Sequence, residues 1–142
     1  MEASSKRQAL TLAKQALAID PDCVDALVIL AQATTRSVEK LIEGMEAAVA
    51  AGERSLGAQY FEENKGHFWG LIETRPYMRA RSVLAHLLLE KEQTDKAIAH
   101  FEAMIALNSN DNQGLRYVLL GCYYYSVTNF RCLEADRSNP RC

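Results

Sequence analysis

The stretch Arg75–Asp111, RPYMRARSVLAHLLLEKEQTDKAIAHFEAMIALNSND, holds two helical patterns separated by a short polar link. In its first half, Met78, Val83, Leu84, Leu87 and Leu88 recur at helical spacing, and Pro76 stands in the first turn, where a missing N–H costs nothing. The link is Glu92-Gln93-Thr94-Asp95. In the second half the apolar positions are Ala97, Ile98, Phe101, Met104, Ile105 and Leu107. Thr94 is the expected N-cap, and Asp95 adds negative charge near the positive end of the helix dipole. Helices joined by so short a link must fold back on each other as an antiparallel pair.

Within this pair, Arg81, Leu84-Ala85 and Leu88 on the first helix, then Ala97, Phe101 and Ser109, fall at fixed intervals. Small Ala85 and Ala97 allow a close approach, while Leu84, Leu88 and Phe101 fill the space between the helices. The unit resembles a tetratricopeptide repeat, whose period is about 34 residues. Arg81 and Ser109 depart from the aromatic and the proline of that pattern. Other copies keep the register: Ala9-x3-Ala13 followed by Pro21, then Leu27-x2-Leu30-Ala31-x2-Thr34 with Leu41-x3-Met45, and finally Tyr117-x2-Leu120-Gly121-x2-Tyr124. Ala9 and Leu41 lie one period apart, and Leu41 and Ala97 one period plus an insertion of about 22 residues. The resemblance implies an all-α fold of antiparallel helix hairpins, stacked as a short right-handed α-solenoid.

A narrower likeness rests on Gly66–Arg81, GHFWGLIETRPYMRAR, and on Asn110–Tyr117, NDNQGLRY. These runs resemble uncharacterised bacterial repeat proteins, themselves distantly similar to the repeat region of the suppression-of-tumorigenicity-7 family. The resemblance covers roughly residues 16–120 and implies a scaffold without a known activity. The membrane-spanning part of the eukaryotic relatives has no counterpart here.

With 142 residues, 49% of them hydrophobic and 24% charged, the chain has the composition of one soluble globular domain. A net charge of −2 argues against a nucleic-acid partner, which demands a concentrated basic surface. The opening residues, MEASSKRQ, lack the apolar run of a signal peptide. The longest apolar stretch, Val118–Tyr125, is about half the ~20 residues of a membrane helix. No membrane association and a cytoplasmic address are therefore expected. Cys23, Cys122, Cys132 and Cys142 form no C-x-x-C pair and read as free thiols. His67, His86 and His100 are scattered, so neither a metal nor another cofactor is expected.

Along the chain, Ser4 or Ser5 is expected to cap a first helix reaching about Ile19, with Ala9, Leu10, Leu12, Ala13, Ala16 and Leu17 on its buried side. Asp20-Pro21-Asp22 breaks it. A second helix covers Val24 to about Thr34; Ser37 caps a third, and Gly52 stops it. The insertion, at about 53–73, carries Tyr60, Phe61, Phe68 and Trp69. A short helix over Leu56–Glu63, a turn at Asn64-Lys65-Gly66 and a helical lead-in are expected there. Its rings either plug the gap between mismatched repeats or form one wall of a binding interface. After Asp111 a further first helix runs from Gln113 to about Tyr125, followed by an irregular tail at about 127–142. The whole of 1–142 reads as a single domain. Both ends of the array look uncapped, which points either to a longer protein or to ends that pack on a partner or a second copy.

No nucleophile–base pair, paired carboxylates or phosphate loop is legible, so no catalytic residue is assigned and no enzyme activity is expected. The candidate binding residues are Arg75, Arg79, Ser82 and His86, which spacings of four, three and four place on one helix face, with Arg116 joining from the next first helix. In the family that the chain resembles, first helices line a groove that holds extended peptides. Guanidinium groups there would grip an acidic segment, whereas a merely solvated stripe would pair with Glu73 and Glu90. The expected function is a protein- or peptide-binding scaffold; the alternative is a self-associating module joined through its apolar ends and aromatic insertion.

Overall fold

The computed structural model describes the backbone of residues 2–138 and the side chains of residues 4–129. Among the described residues there are seven α-helices and no strand: α1 (Glu2–Ile19), α2 (Val24–Thr34), α3 (Val38–Leu56), α4 (Ala58–Glu63), α5 (Arg75–Glu90), α6 (Thr94–Leu107) and α7 (Leu115–Ser138). Two single 3-10 turns, Phe68–Gly70 and Ile72–Thr74, lead into α5.

Each long helix packs on its neighbours in a repeating order. The second lies between the first and third, the fifth between the third and sixth, while α1 touches chiefly α2 and α7 chiefly α6. Small residues permit the close approaches. A Cβ added at Gly44 of α3 would stand only 2.6 Å from the Cβ of Ala31 on α2. Ala85 of α5 and Ala97 of α6 are fully buried, as are Leu84, Phe101 and Met104 around them. The core continues through Met45 and Ala48 of α3 to Tyr77, Met78 and Phe68, so one apolar interior runs from α2 to α7.

The helix boundaries follow local chemistry, and some differ from the sequence expectation. Ser37 caps α3 as expected, its hydroxyl accepting from the Lys40 amide at 3.2 Å. Gly52 does not end that helix. It is buried inside α3, where a Cβ would come within 2.8 Å of Tyr77 Cδ2; Gly57, at φ +81°, makes the break instead. Ser4 and Ser5 lie within α1 rather than before it, and Thr94 is the first residue of α6, with Gln93 in the cap position. On α1 the buried anchor is Ala13, whereas Leu12 points outward. That helix packs chiefly on α2, so its apolar residues are not all covered.

At the start of α7, Gly114 adopts φ +70° and delays the helix to Leu115. The Asp111 carboxylate accepts from the amides of Leu115 at 2.7 Å and Arg116 at 3.0 Å, satisfying two donors that lack helical partners. Removing it in Asp111→Ala is expected to destabilise the fold by about 1 kcal/mol. A urea-unfolding midpoint unchanged from wild type would refute that role. Where an irregular tail was expected after residue 127, α7 continues to Ser138; residues 139–142 lie outside the described part. The helix passes through Thr128, whose hydroxyl folds back onto the Tyr124 carbonyl at 2.9 Å.

The insertion forms α4 and the 3-10 turns, and its rings pack inward. Phe68 is fully buried; Phe61 meets it at 4.9 Å and meets Tyr77 edge-on at 5.2 Å, and Tyr60 approaches Phe68 at 6.3 Å. Buried Thr74 anchors the turns, its hydroxyl facing the carbonyls of Phe68 and Leu71. The insertion is also clasped to the α6–α7 connection. The Ser109 amide donates to the Gly66 carbonyl at 3.2 Å, and His67 pairs with Asn108 in an isolated antiparallel bridge.

Candidate functional site

Three places are candidates for a functional surface: the basic face of α5, the cavity beside the insertion, and the outer face of α7. On α5, Arg75, Arg79, Ser82 and His86 share one side of the helix, as their spacing requires. The side chains of Arg75, Arg79 and His86 are engaged within the molecule, and Ser82 contributes its backbone carbonyl. Arg75 lies over the Trp69 ring at 5.5 Å and donates to the Trp69 carbonyl at 3.1 Å. Arg79 donates to both carboxylate oxygens of Asp25 at 3.1 Å, rather than pairing with Glu73 or Glu90. His86 Nδ1 lies 2.7 Å from the Ser82 carbonyl, and its ring stands edge-on to Phe101 at 5.2 Å. Arg116 donates to the Ser109 carbonyl in the α6–α7 connection. An acidic segment reaching this face would have to displace Asp25 from Arg79. That exposed pair is worth no more than about 1 kcal/mol.

The opposite side of α5 borders a cavity of about 500 Å³ between α3, α4 and α6. Phe61, Tyr77, Ala103 and Leu107 give it an apolar wall, and Glu53 and Arg81 give it a polar edge. The Tyr77 hydroxyl donates to Glu53 at 3.2 Å and accepts from Arg81, whose Nε donates to His100 Nδ1 at 3.1 Å. Burial, against the opposing pull of Arg81, pushes the Tyr77 phenol up to about 12. Burial first, and the Arg81 charge second, hold the His100 pKa below its ordinary value. A neutral His100 accepting from Arg81 is therefore the form that fits the fold. Because its folded pKa is depressed, its contribution to stability is present above the ordinary histidine pKa and is lost as pH falls through the folded value. Thermal unfolding followed from pH 7 to pH 5 should show this loss. His100→Gln should show a shallower slope, and an equal slope in both proteins would rule the contribution out. No signal in the sequence linked Glu53, Tyr77, Arg81 and His100, since three elements separated along the chain supply them.

The third place is the outer face of α7. Tyr117, Leu120, Tyr124 and Val127 are 84%, 66%, 74% and 54% exposed. At roughly 100° per residue they share an arc of about 80°. Leu115, Val118, Leu119 and Cys122, on the opposite side, belong to the core. Tyr117, Leu120 and Tyr124, with exposed Gly121, are the residues that match the first-helix signature. Their counterparts Leu84, Ala85 and Leu88 on α5 are covered. Tyr123, at the edge of the stripe, donates to Glu102 of α6, and that carboxylate raises the Tyr123 pKa.

Cys23 and Cys122 are free thiols, and burial raises the Cys122 pKa; the side chains of Cys132 and Cys142 lie outside the described residues. Among the described residues no His, Cys, Asp and Glu side chains group as metal ligands, and no helix is long and apolar enough to cross a membrane. Compared with known protein families, curated proteins and solved structures, the chain matches none.

Proposed function

We propose that the protein is a non-enzymatic interaction scaffold, a tetratricopeptide-like stack of helix pairs that docks a partner helix on the outer face of α7. One observation carries the reading. The signature stripe recurs on α2, α5 and α7: Leu84, Ala85 and Leu88 are buried on α5, Ala31 is buried and Leu27 and Leu30 half-buried on α2, and Tyr117, Leu120 and Tyr124 are bare on α7. What covers it elsewhere defines the chemistry of the partner. Against α2 stands Gly44 of α3, and α6 brings Ala97, Phe101 and Met104, all fully buried, to the core it shares with α5. The partner is thus an amphipathic helix with a small residue at the crossing and large apolar residues one and two turns on, the helix-in-groove mode of recognition. Tyrosines such as Tyr117 and Tyr124 are among the side chains that give such contacts most of their energy.

A fluorescein-labelled peptide of the α6 sequence, residues 94–107, supplies that pattern as a probe. Saturable binding by the wild-type chain is expected in fluorescence anisotropy. The double variant Leu120→Glu/Tyr124→Glu should weaken it by a factor of about 10 or more, equivalent to about 1.4 kcal/mol. Equal binding by that variant, with its helical circular dichroism intact, would remove α7 as the docking face.

A further inference from the structure

We infer that the cavity beside the insertion is a binding site for a small organic acid, whose carboxylate Arg81 grips and whose apolar body Phe61, Tyr77 and Leu107 enclose. This site is separate from the docking face of α7 and shares no residue with it. The cavity exists because small residues line it. Ala58 of α4 and Ala103 and Ala106 of α6 present only methyl groups, which leave the space between the helices open. At about 500 Å³ it falls within the ~300–1,000 Å³ of small-molecule sites, which are mostly apolar with a few fixed polar groups.

Arg81 sets the sign of the ligand. It is half-buried on α5, and among the described residues no carboxylate forms an ion pair with it, whereas Arg54 and Arg79 each have one. Its Nε–H is taken by His100 and one Nη1–H by the Tyr77 hydroxyl. Burial keeps both partners in their neutral forms, so neither cancels the charge. The Tyr77 ring, 5.8 Å from the guanidinium carbon, holds it on a further side. An N–H on each terminal nitrogen stays free. A planar fork fixed in this way is suited to a carboxylate, which it meets through two parallel hydrogen bonds. Three other charges line the cavity: Lys65 adds to the attraction, while Glu53 and Glu62 oppose it. All three are exposed and screened by water, and Glu53 already accepts from the Tyr77 hydroxyl. The half-buried guanidinium therefore outweighs them. A second carboxylate on the ligand would meet those glutamates, so the class is a monocarboxylic acid with an aromatic or aliphatic body.

The test is an NMR titration of the full chain with 3-phenylpropionate, a probe that joins one carboxylate to one ring. Saturable, single-site binding is expected. The uncharged 3-phenylpropan-1-ol has the same ring and chain but should bind about tenfold more weakly, because the charge-assisted hydrogen bonds are lost. Arg81→Gln should weaken the acid by a similar factor and leave the alcohol unchanged. Ala106→Trp, at an exposed position, should abolish binding of both by filling the space. Unchanged helical circular dichroism checks that each variant folds. Should Arg81→Gln fail to fold, the acid and alcohol compared on the wild type still decide the role of the charge. Equal binding of acid and alcohol overturns the inference, as does acid binding that survives Ala106→Trp or a folded Arg81→Gln. No saturable binding of the acid up to its solubility does the same. A short peptide ending in a free phenylalanine carboxylate, bound about ten times more tightly than the acid, would assign the site to another protein's chain terminus and overturn the small-molecule class.

Discussion

Phe101→Ala is expected to cost about 3–5 kcal/mol of folding free energy, the range for deleting a large buried ring. Phe101 is fully buried on α6, with the His86 ring edge-on against it at 5.2 Å and Ala97 one turn away. The surrounding atoms come from two packed helices and cannot collapse into the space without separating them. The loss is a large share of the total, since domains of this kind are stable by about 5–15 kcal/mol. Urea unfolding of the purified variant measures it through the shift in midpoint at constant slope. A loss under about 1 kcal/mol would mean that α5 and α6 are not held together at this point.

Gly44→Ala carries the second prediction, and here two effects oppose each other. Replacing a mid-helix glycine with alanine ordinarily stabilises a helix by about 1 kcal/mol. In this position the new methyl would stand 2.6 Å from the Ala31 Cβ, well inside contact distance. Neither atom ends a flexible side chain, so relief comes only by moving α2 away from α3. Overpacking of that kind costs about 1–3 kcal/mol. The clash is severe enough to win, and a net loss of about 2 kcal/mol is expected. Ala31→Gly on the same chain should restore most of it. A double-mutant cycle in urea reads the coupling directly, and additive effects of the two substitutions would refute the contact.

Most of the helical layout was legible because it depends on periodicity. The apolar spacing in residues 75–111 anticipated α5 and α6, and the Val24–Thr34 helix and the Ser37 cap were found where expected. Glycines misled where tertiary packing overrode local chemistry. Gly52 resembles a helix stop yet serves the approach of Tyr77, which lies 25 residues further along the chain. The tail misled for a related reason: Thr128, Asn129 and their neighbours are weak helix formers, but α7 carries them on.

The candidate residues fared according to how local their geometry is. The shared face of Arg75, Arg79, Ser82 and His86 follows from helix spacing alone. Their partners do not. Asp25 reaches Arg79 from α2, a pairing that a separation of 54 positions conceals. Of the insertion aromatics, open to two interpretations in the sequence, Tyr60 and Phe61 gather around Phe68 and Phe61 also meets Tyr77, while Trp69 lies against Arg75. The exposed stripe of α7 was visible as a motif, but its bareness depends on what lies beside it in space.

The clasp between Gly66–His67 and Asn108–Ser109 has a mechanical meaning for any helix that docks on α7. It ties the irregular segment between α4 and α5 to the joint from which α7 departs, so that segment acts as a brace on the helix. A docked helix would inherit the angle at which the brace holds α7. Its tilt would then be set partly by a turn at Asn64–Gly66, far in sequence from the docking face, and lengthening that turn by a residue would alter the tilt without touching that face.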